Sequence, residues 1–104
     1  MTVATIGGHD VHVDAEGFLT QPEEWDDGLA EVLAAQIGLE LADRHWMAIR
    51  FARDDHAANG ETPTLRRMAN VGGVPTKEMF ALFPGKPAKK LAYVAGLPKP
   101  TGCV

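Results

Sequence analysis

One thiol, four histidines and a group of C-terminal lysines are the side chains of this sequence best suited to chemistry. The thiol is Cys103, the only cysteine, second from the end in "AGLPKPTGCV" (95–104). A lone cysteine forms no internal disulfide, so its chemistry is that of a free nucleophile or a sulfur carrier. Pro98 and Pro100 favour a stiff, extended segment, which lowers the entropic cost of threading it into a partner. Gly102 removes bulk beside the sulfur, and Gly96 and Lys99 complete the segment. A free thiol titrates near about 8.5. An adjacent terminal carboxylate raises that value, because two negative charges oppose each other. Cys103 is thus expected to be sluggish alone and activated where it meets positive charge. A persulfide on it would be cargo, made and passed on by thiolate exchange.

The other constellations are weaker. With no serine in the chain, a Ser-His-Asp hydrolase is excluded. A cysteine hydrolase needs its nucleophile held beside a histidine, which a chain end does poorly. His9 and His12 fall on opposite faces of a strand, and His45 and His56 lie three helical turns apart. None of the four belongs to a group with zinc-site spacing, so neither a metal nor a cofactor is expected. "GGVPTK" (72–77) lacks the phosphate-loop pattern and reads as a turn. Arg66 and Arg67 open a helix after a turn at Asn59–Thr62. That pair of helices resembles a helix-turn-helix, and a hairpin beside it would make it winged. A DNA-binding regulator is therefore the alternative of another class, although such domains are usually basic.

These residues are positioned by a mainly helical chain. "TVATIGGHDVHV" alternates around Gly7-Gly8 and predicts two short strands joined by a tight turn. Pro22 opens a helix to about Ile37, with Trp25 as anchor. A long helix runs from about 42 to 59 and stops at Asn59-Gly60. Thr62-Pro63 are read as the cap and first residue of a short helix to about Asn70, with Arg66 and Arg67 outward. Pro75 starts another, through Phe83, and Pro87 a last one to about Ala95. On this last helix Ala88, Leu91, Ala92 and Ala95 share one face. Lys86, Lys89, Lys90 and Tyr93 share the other, a basic stripe suited to docking a partner, as are Arg66 and Arg67. Residues 1–95 are expected to form one domain, and 96–104 a flexible arm reaching about 28 Å when extended.

The chain of 104 residues suits a single modest core. No apolar run approaches the roughly 18 residues of a membrane helix, and no signal peptide is read at the N-terminus. A single cysteine points to a reducing compartment, most simply the cytoplasm. The net charge of −4 is uneven. Residues 1–60 hold 12 Asp/Glu against 3 Arg, whereas residues 61–104 hold 2 Glu against 7 Lys/Arg. The half with the cysteine is basic, as expected of a surface for an acidic partner or nucleic acid, or simply of solvated faces.

"LFPGKPAKKLAYVAGLPKPTGCV" resembles the C-terminal end of the DsrC/TusE family of sulfur-carrier proteins. "DAEGFL" (14–19), Trp25, "GLEL" (38–41), "HW" (45–46), "RFARD" (50–54) and "LFP" (82–84) follow the family's order and spacing. The resemblance implies a mostly helical fold with an N-terminal hairpin, a helix-turn-helix-like core, here an orthogonal bundle, and a flexible C-terminal arm. It implies that Cys103 carries the sulfur, in relay chemistry of sulfurtransferase type rather than as a stand-alone enzyme. DsrC proper has a second cysteine eleven positions earlier, where this chain has Ala92. The single cysteine is TusE-like, which implies tRNA 2-thiouridine synthesis with a donor protein and a thiouridylase complex. The short stretch "NVGGVPTKEMF" is more like DsrC proteins, partners of dissimilatory sulfite reductase. Both readings stand at this point, with no cofactor and no membrane in either.

Overall fold

The computed structural model describes residues 2–100. Strands β1 (Thr2–Ile6) and β2 (His9–Val13) pair antiparallel, with Ile6 opposite His9 across Gly7-Gly8. Both glycines have positive φ, 56° and 85°, as a twist-matched two-residue turn requires. A Cβ on Gly7 would come within 2.8 Å of Val32, so the turn sits directly on the first helix. Ala4, Ile6, Val11 and Val13 face inward onto Leu19, Leu29 and Leu33, while Val3 points to solvent. That shared apolar cluster supports a hairpin that two strands alone would not hold.

The single helix expected from Pro22 to Ile37 is broken in the structure. Pro22–Glu24 form one 3₁₀ turn, Trp25 and Asp26 are extended, and α1 spans Asp27–Gln36. The cause is Asp26, whose carboxylate accepts the Leu29 N–H at 2.8 Å. An aspartate gains more as an N-cap than inside a helix.

Helix α2 (Asp43–Asn59) ends on Gly60, whose φ is 77°. His45 is buried near its start. Its Nδ1 accepts the Ala42 N–H at 3.1 Å, and its Nε2 lies 2.9 Å from the Leu82 carbonyl. An amide only donates and a carbonyl only accepts, so Nδ1 serves as acceptor and Nε2 as donor. Helix α3 (Leu65–Asn70) starts later than the sequence suggests. Thr64, rather than Thr62, is the cap, its hydroxyl accepting the Arg67 N–H at 3.2 Å. Helices α4 (Thr76–Leu82) and α5 (Pro87–Val94) follow.

The main core lies where α1 and α2 meet α5. Ala88, Leu91, Ala92 and Ala95 are all buried there, as the helical spacing predicts. No helix among the described residues is long and apolar enough to cross a membrane.

The packed body continues past Ala95. Gly96 takes a φ of 68°, and the Leu97 N–H returns to the Ala92 carbonyl at 3.0 Å while the Gly96 N–H returns to Tyr93 at 3.4 Å. These two bonds form a Schellman cap, which folds the following apolar residue back onto the helix. Leu97 is accordingly only 1% exposed.

Candidate functional site

The candidate site is the root of the tail that carries Cys103. Cys103 and Gly102 lie outside the described residues, and the structure places the segment that leads to them.

Two side chains secure the end of α5, where backbone carbonyls lack helical partners. Trp25 Nε1 donates to the Val94 carbonyl at 2.8 Å. Arg53, on α2, donates to the Ala95 carbonyl at 2.7 Å and to the Pro22 carbonyl at 3.0 Å. Its guanidinium also lies over the Trp25 ring, 4.1 Å from the centroid. Burial lowers the pKa of Arg53, but arginine stays charged at any physiological pH. Gly96 is packed so closely against Trp25 that a Cβ there would fall 2.3 Å from the indole Cδ1.

The next residues are attached one by one. The Thr62 hydroxyl donates to the Pro98 carbonyl at 2.8 Å. The Lys99 ammonium donates to the Glu16 carboxylate, and this bond raises the lysine pKa. Pro100 is buried. A small cleft of about 90 Å³ beside this segment is lined by His56, Gly60, Glu61, Thr62, Pro98 and Lys99.

Thr62 also borders a larger, polar recess of about 360 Å³ containing Asp55, Asn59 and Arg67. Arg67, expected to point outward, folds back onto α2. Its Nε lies 2.8 Å from both Asp55 carboxylate oxygens, and Asn59 donates to the same carboxylate at 2.8 Å. The Asp55 side chain is only 5% exposed, and the guanidinium bond holds its pKa below the ordinary carboxylate value. Arg66 is exposed and makes no ion pair among the described residues.

The basic stripe is assembled as its spacing predicts. Lys86, Lys89, Lys90 and Tyr93 border a mostly apolar cleft of about 530 Å³, closed by Phe18, Ile37, Gly85 and Glu16. The Tyr93 ring meets Phe18 edge-on with centroids 5.9 Å apart. Its hydroxyl donates to Gln36 at 2.8 Å, and burial raises its pKa. The two regions touch at Glu16, which borders the cleft and holds Lys99.

Sequence reasoning singled out neither Arg53 nor Glu16, and read Thr62 only as a helix cap. Each binds a residue at least 36 positions away, so no local periodicity marks it. The Schellman pattern was legible, since a glycine followed by leucine after an apolar helix is its signature.

The family described as DsrC-like protein matches residues 5–104. The sulfurtransferase TusE of Escherichia coli strain K12 is 36% identical, over 93% of this chain and 95% of its own. Among solved structures, that of dissimilatory sulfite reductase I (DsrI) superposes with a TM-score of 0.84 at 34% identity, covering 99% of this chain and 100% of the other. The Allochromatium vinosum DsrC structure gives 0.79 at 36% identity, covering 98% and 97%. With nearly every residue aligned in both sequence and space, this chain belongs to the DsrC-like protein family.

Proposed function

We propose that this protein is a single-cysteine persulfide carrier that accepts sulfur on Cys103 and hands it to a partner enzyme. The observation that carries the reading is the near full-length match to relatives named sulfurtransferase TusE, in a chain whose only cysteine is Cys103. Ala92 supports the single-sulfur form. It is fully buried on the inner face of α5, at the position where a two-cysteine relative would carry its second thiol.

Loading balances without any redox partner. The Cys103 thiolate attacks the outer sulfur of a donor persulfide, the donor S–S bond breaks, and the donor thiolate leaves. Cys103 then holds the sulfane sulfur, and the reverse exchange delivers it. No electrons are gained or lost overall.

The tail root sets the reach. Cys103 lies three positions beyond Pro100, and an extended chain spans at most about 11 Å over that length. Delivery deeper than that requires residues 98–100 to leave the body, through loss of the Thr62 and Lys99 contacts. Pro98 and Pro100 then limit the entropy lost on insertion.

The acceptor in this reading is a tRNA-thiolation complex, in keeping with the TusE-like single cysteine. The names of the structural neighbours favour a second acceptor, dissimilatory sulfite reductase or a related sulfur enzyme. Recovery of sulfite reductase subunits with the tagged protein, without a thiouridylase, would replace the first reading by the second. The DNA-binding alternative, with α2, α3 and the hairpin as a winged helix, is weakened because Arg67 is committed to Asp55.

The deciding experiment is intact-mass spectrometry after incubation with a persulfide donor. The wild type gains the mass of one sulfur atom and Cys103→Ala gains nothing. Absence of an adduct on the wild type with every donor would overturn the carrier reading.

A further inference from the structure

We propose that the cleft between Phe18 and helix α5 docks an acidic segment of a partner protein that inserts one aromatic or branched aliphatic side chain. This rests on the carrier reading and names the chemistry of the partner surface that precedes sulfur transfer.

The first observation is where the lysines stand. Lys86 is the N-cap of α5, and Lys89 and Lys90 occupy its first turn or lie just beyond it. A helix N-terminus carries partial positive charge, so cations there cost stability. Helices α1, α2 and α4 each place an acid in the first turn, whereas α3 and α5 have none. Arg44, Arg50, Arg67 and Lys99 each have a carboxylate partner, whereas Lys86, Lys89 and Lys90 have none among the described residues. Three lysines without a carboxylate partner among the described residues therefore line one cleft at the start of α5, an arrangement that a bound carboxylate would favour.

The second observation is the floor. Phe18, Ile37 and Tyr93 give this open cleft of about 530 Å³ a mostly apolar lining, large enough to seat one big apolar side chain. A basic rim over an apolar floor matches an acidic segment tipped by one large apolar side chain. A nucleic-acid backbone matches it less well, since phosphates and sugars offer no large apolar side chain for the floor.

The third observation is the link to the tail. Glu16 on the rim is also the carboxylate that holds Lys99. An acidic segment seated here adds negative charge beside that pair and offers Lys99 a competing partner. Docking at the cleft therefore loosens the tail root, and delivery follows recognition.

The test uses the full chain and a fluorescein-labelled synthetic peptide with a central Trp-Leu pair flanked by Asp and Glu. Anisotropy is expected to show binding that weakens with salt and falls at least tenfold in Lys86→Glu/Lys89→Glu/Lys90→Glu. Amide shifts should centre on Phe18, Lys89 and Tyr93 and reach Lys99. The triple variant is expected to fold, because acids suit that end of a helix, and its far-ultraviolet circular dichroism checks this. Replacing Trp-Leu by Gly-Ser should abolish binding at unchanged charge.

The proposal is overturned if the peptide leaves the spectrum unchanged at millimolar concentration, or binds the folded triple variant equally well. It is equally overturned if a single-stranded RNA oligomer, and not the peptide, binds in a lysine-dependent way. Self-association that the triple variant abolishes and the peptide does not displace would assign the cleft to a second copy instead. Persulfide loading from a small-molecule donor, read by mass on both proteins, separates the two levels. An intact adduct with no peptide binding rejects the docking site alone, and a missing adduct rejects the carrier reading beneath it.

Discussion

Arg53 lies 4.1 Å from the ring centroid of Trp25 while donating to the carbonyl of Ala95. Trp25 in turn donates to Val94. One cation and one indole, 28 positions apart in sequence, thus close the end of the helix from which the cysteine-bearing tail emerges.

Replacing Arg53 by Met keeps the aliphatic stem but removes both carbonyl donors and the stacking. We expect a loss of about 2 kcal/mol in urea unfolding, from two lost guanidinium–carbonyl bonds and one cation–π contact. The Pro22 carbonyl keeps the Trp25 N–H, whereas the Ala95 carbonyl keeps no partner among the described residues. Amide exchange at Gly96 and Leu97 should accelerate in the same variant. Unchanged exchange there would show that Arg53 does not fasten the tail root.

Gly96→Ala should be among the most damaging small substitutions in the chain. It combines a φ of 68° with a Cβ only 2.3 Å from Trp25. The backbone strain costs about 1 kcal/mol, and overpacking adds about 1–3 kcal/mol. Gly38→Ala is the matched control, with a φ of 74° and no neighbour within 4 Å. It should cost about 1 kcal/mol. Equal losses in the two variants would show that the Trp25 contact relaxes freely.

Asp55 makes stability depend on acid. Its folded-state pKa is lowered by Arg67, so its contribution is fully present above the unfolded value of about 3.9. That contribution is lost as pH falls through the lower folded value. The stability difference between wild type and Asp55→Asn should therefore be constant near neutral pH and shrink below about pH 4. Denaturant unfolding from pH 7 to pH 3 measures it.

Thr62→Val removes the hydroxyl that holds the Pro98 carbonyl while keeping the side-chain shape. The expected cost is about 1 kcal/mol, confined to the tail root. Exchange at Leu97 and Lys99 should rise, with the amides of α1 unchanged. Mass-detected persulfide loading from a small donor should equal that of the wild type, because the thiol itself is untouched.

Much of the fold was legible from local pattern. The Gly7-Gly8 turn, the long helix ending at Gly60 and the two faces of α5 all appear where spacing and turn chemistry put them. These features depend on interactions within a few residues, which a linear sequence displays directly. Errors arose where one local signal was overridden by another. Pro22 was read as the helix start, whereas the capping carboxylate of Asp26 starts α1 later. Thr62 was read as a cap, whereas Thr64 caps α3 and the Thr62 hydroxyl goes to the Pro98 carbonyl.

The sequence by itself determined the chemistry: one thiol near the end of the chain, prolines before it, lysines on one helical face, and a family resemblance. Tertiary structure decided how that chemistry is held. Only folding brings Arg53 and Trp25 to the end of α5, Thr62 to Pro98, and Glu16 to Lys99. Only folding turns the lysine stripe into the rim of a cleft floored by Phe18 and Ile37. These pairings are set by how helices and hairpin pack in three dimensions, and packing is a property of the whole core rather than of any local stretch.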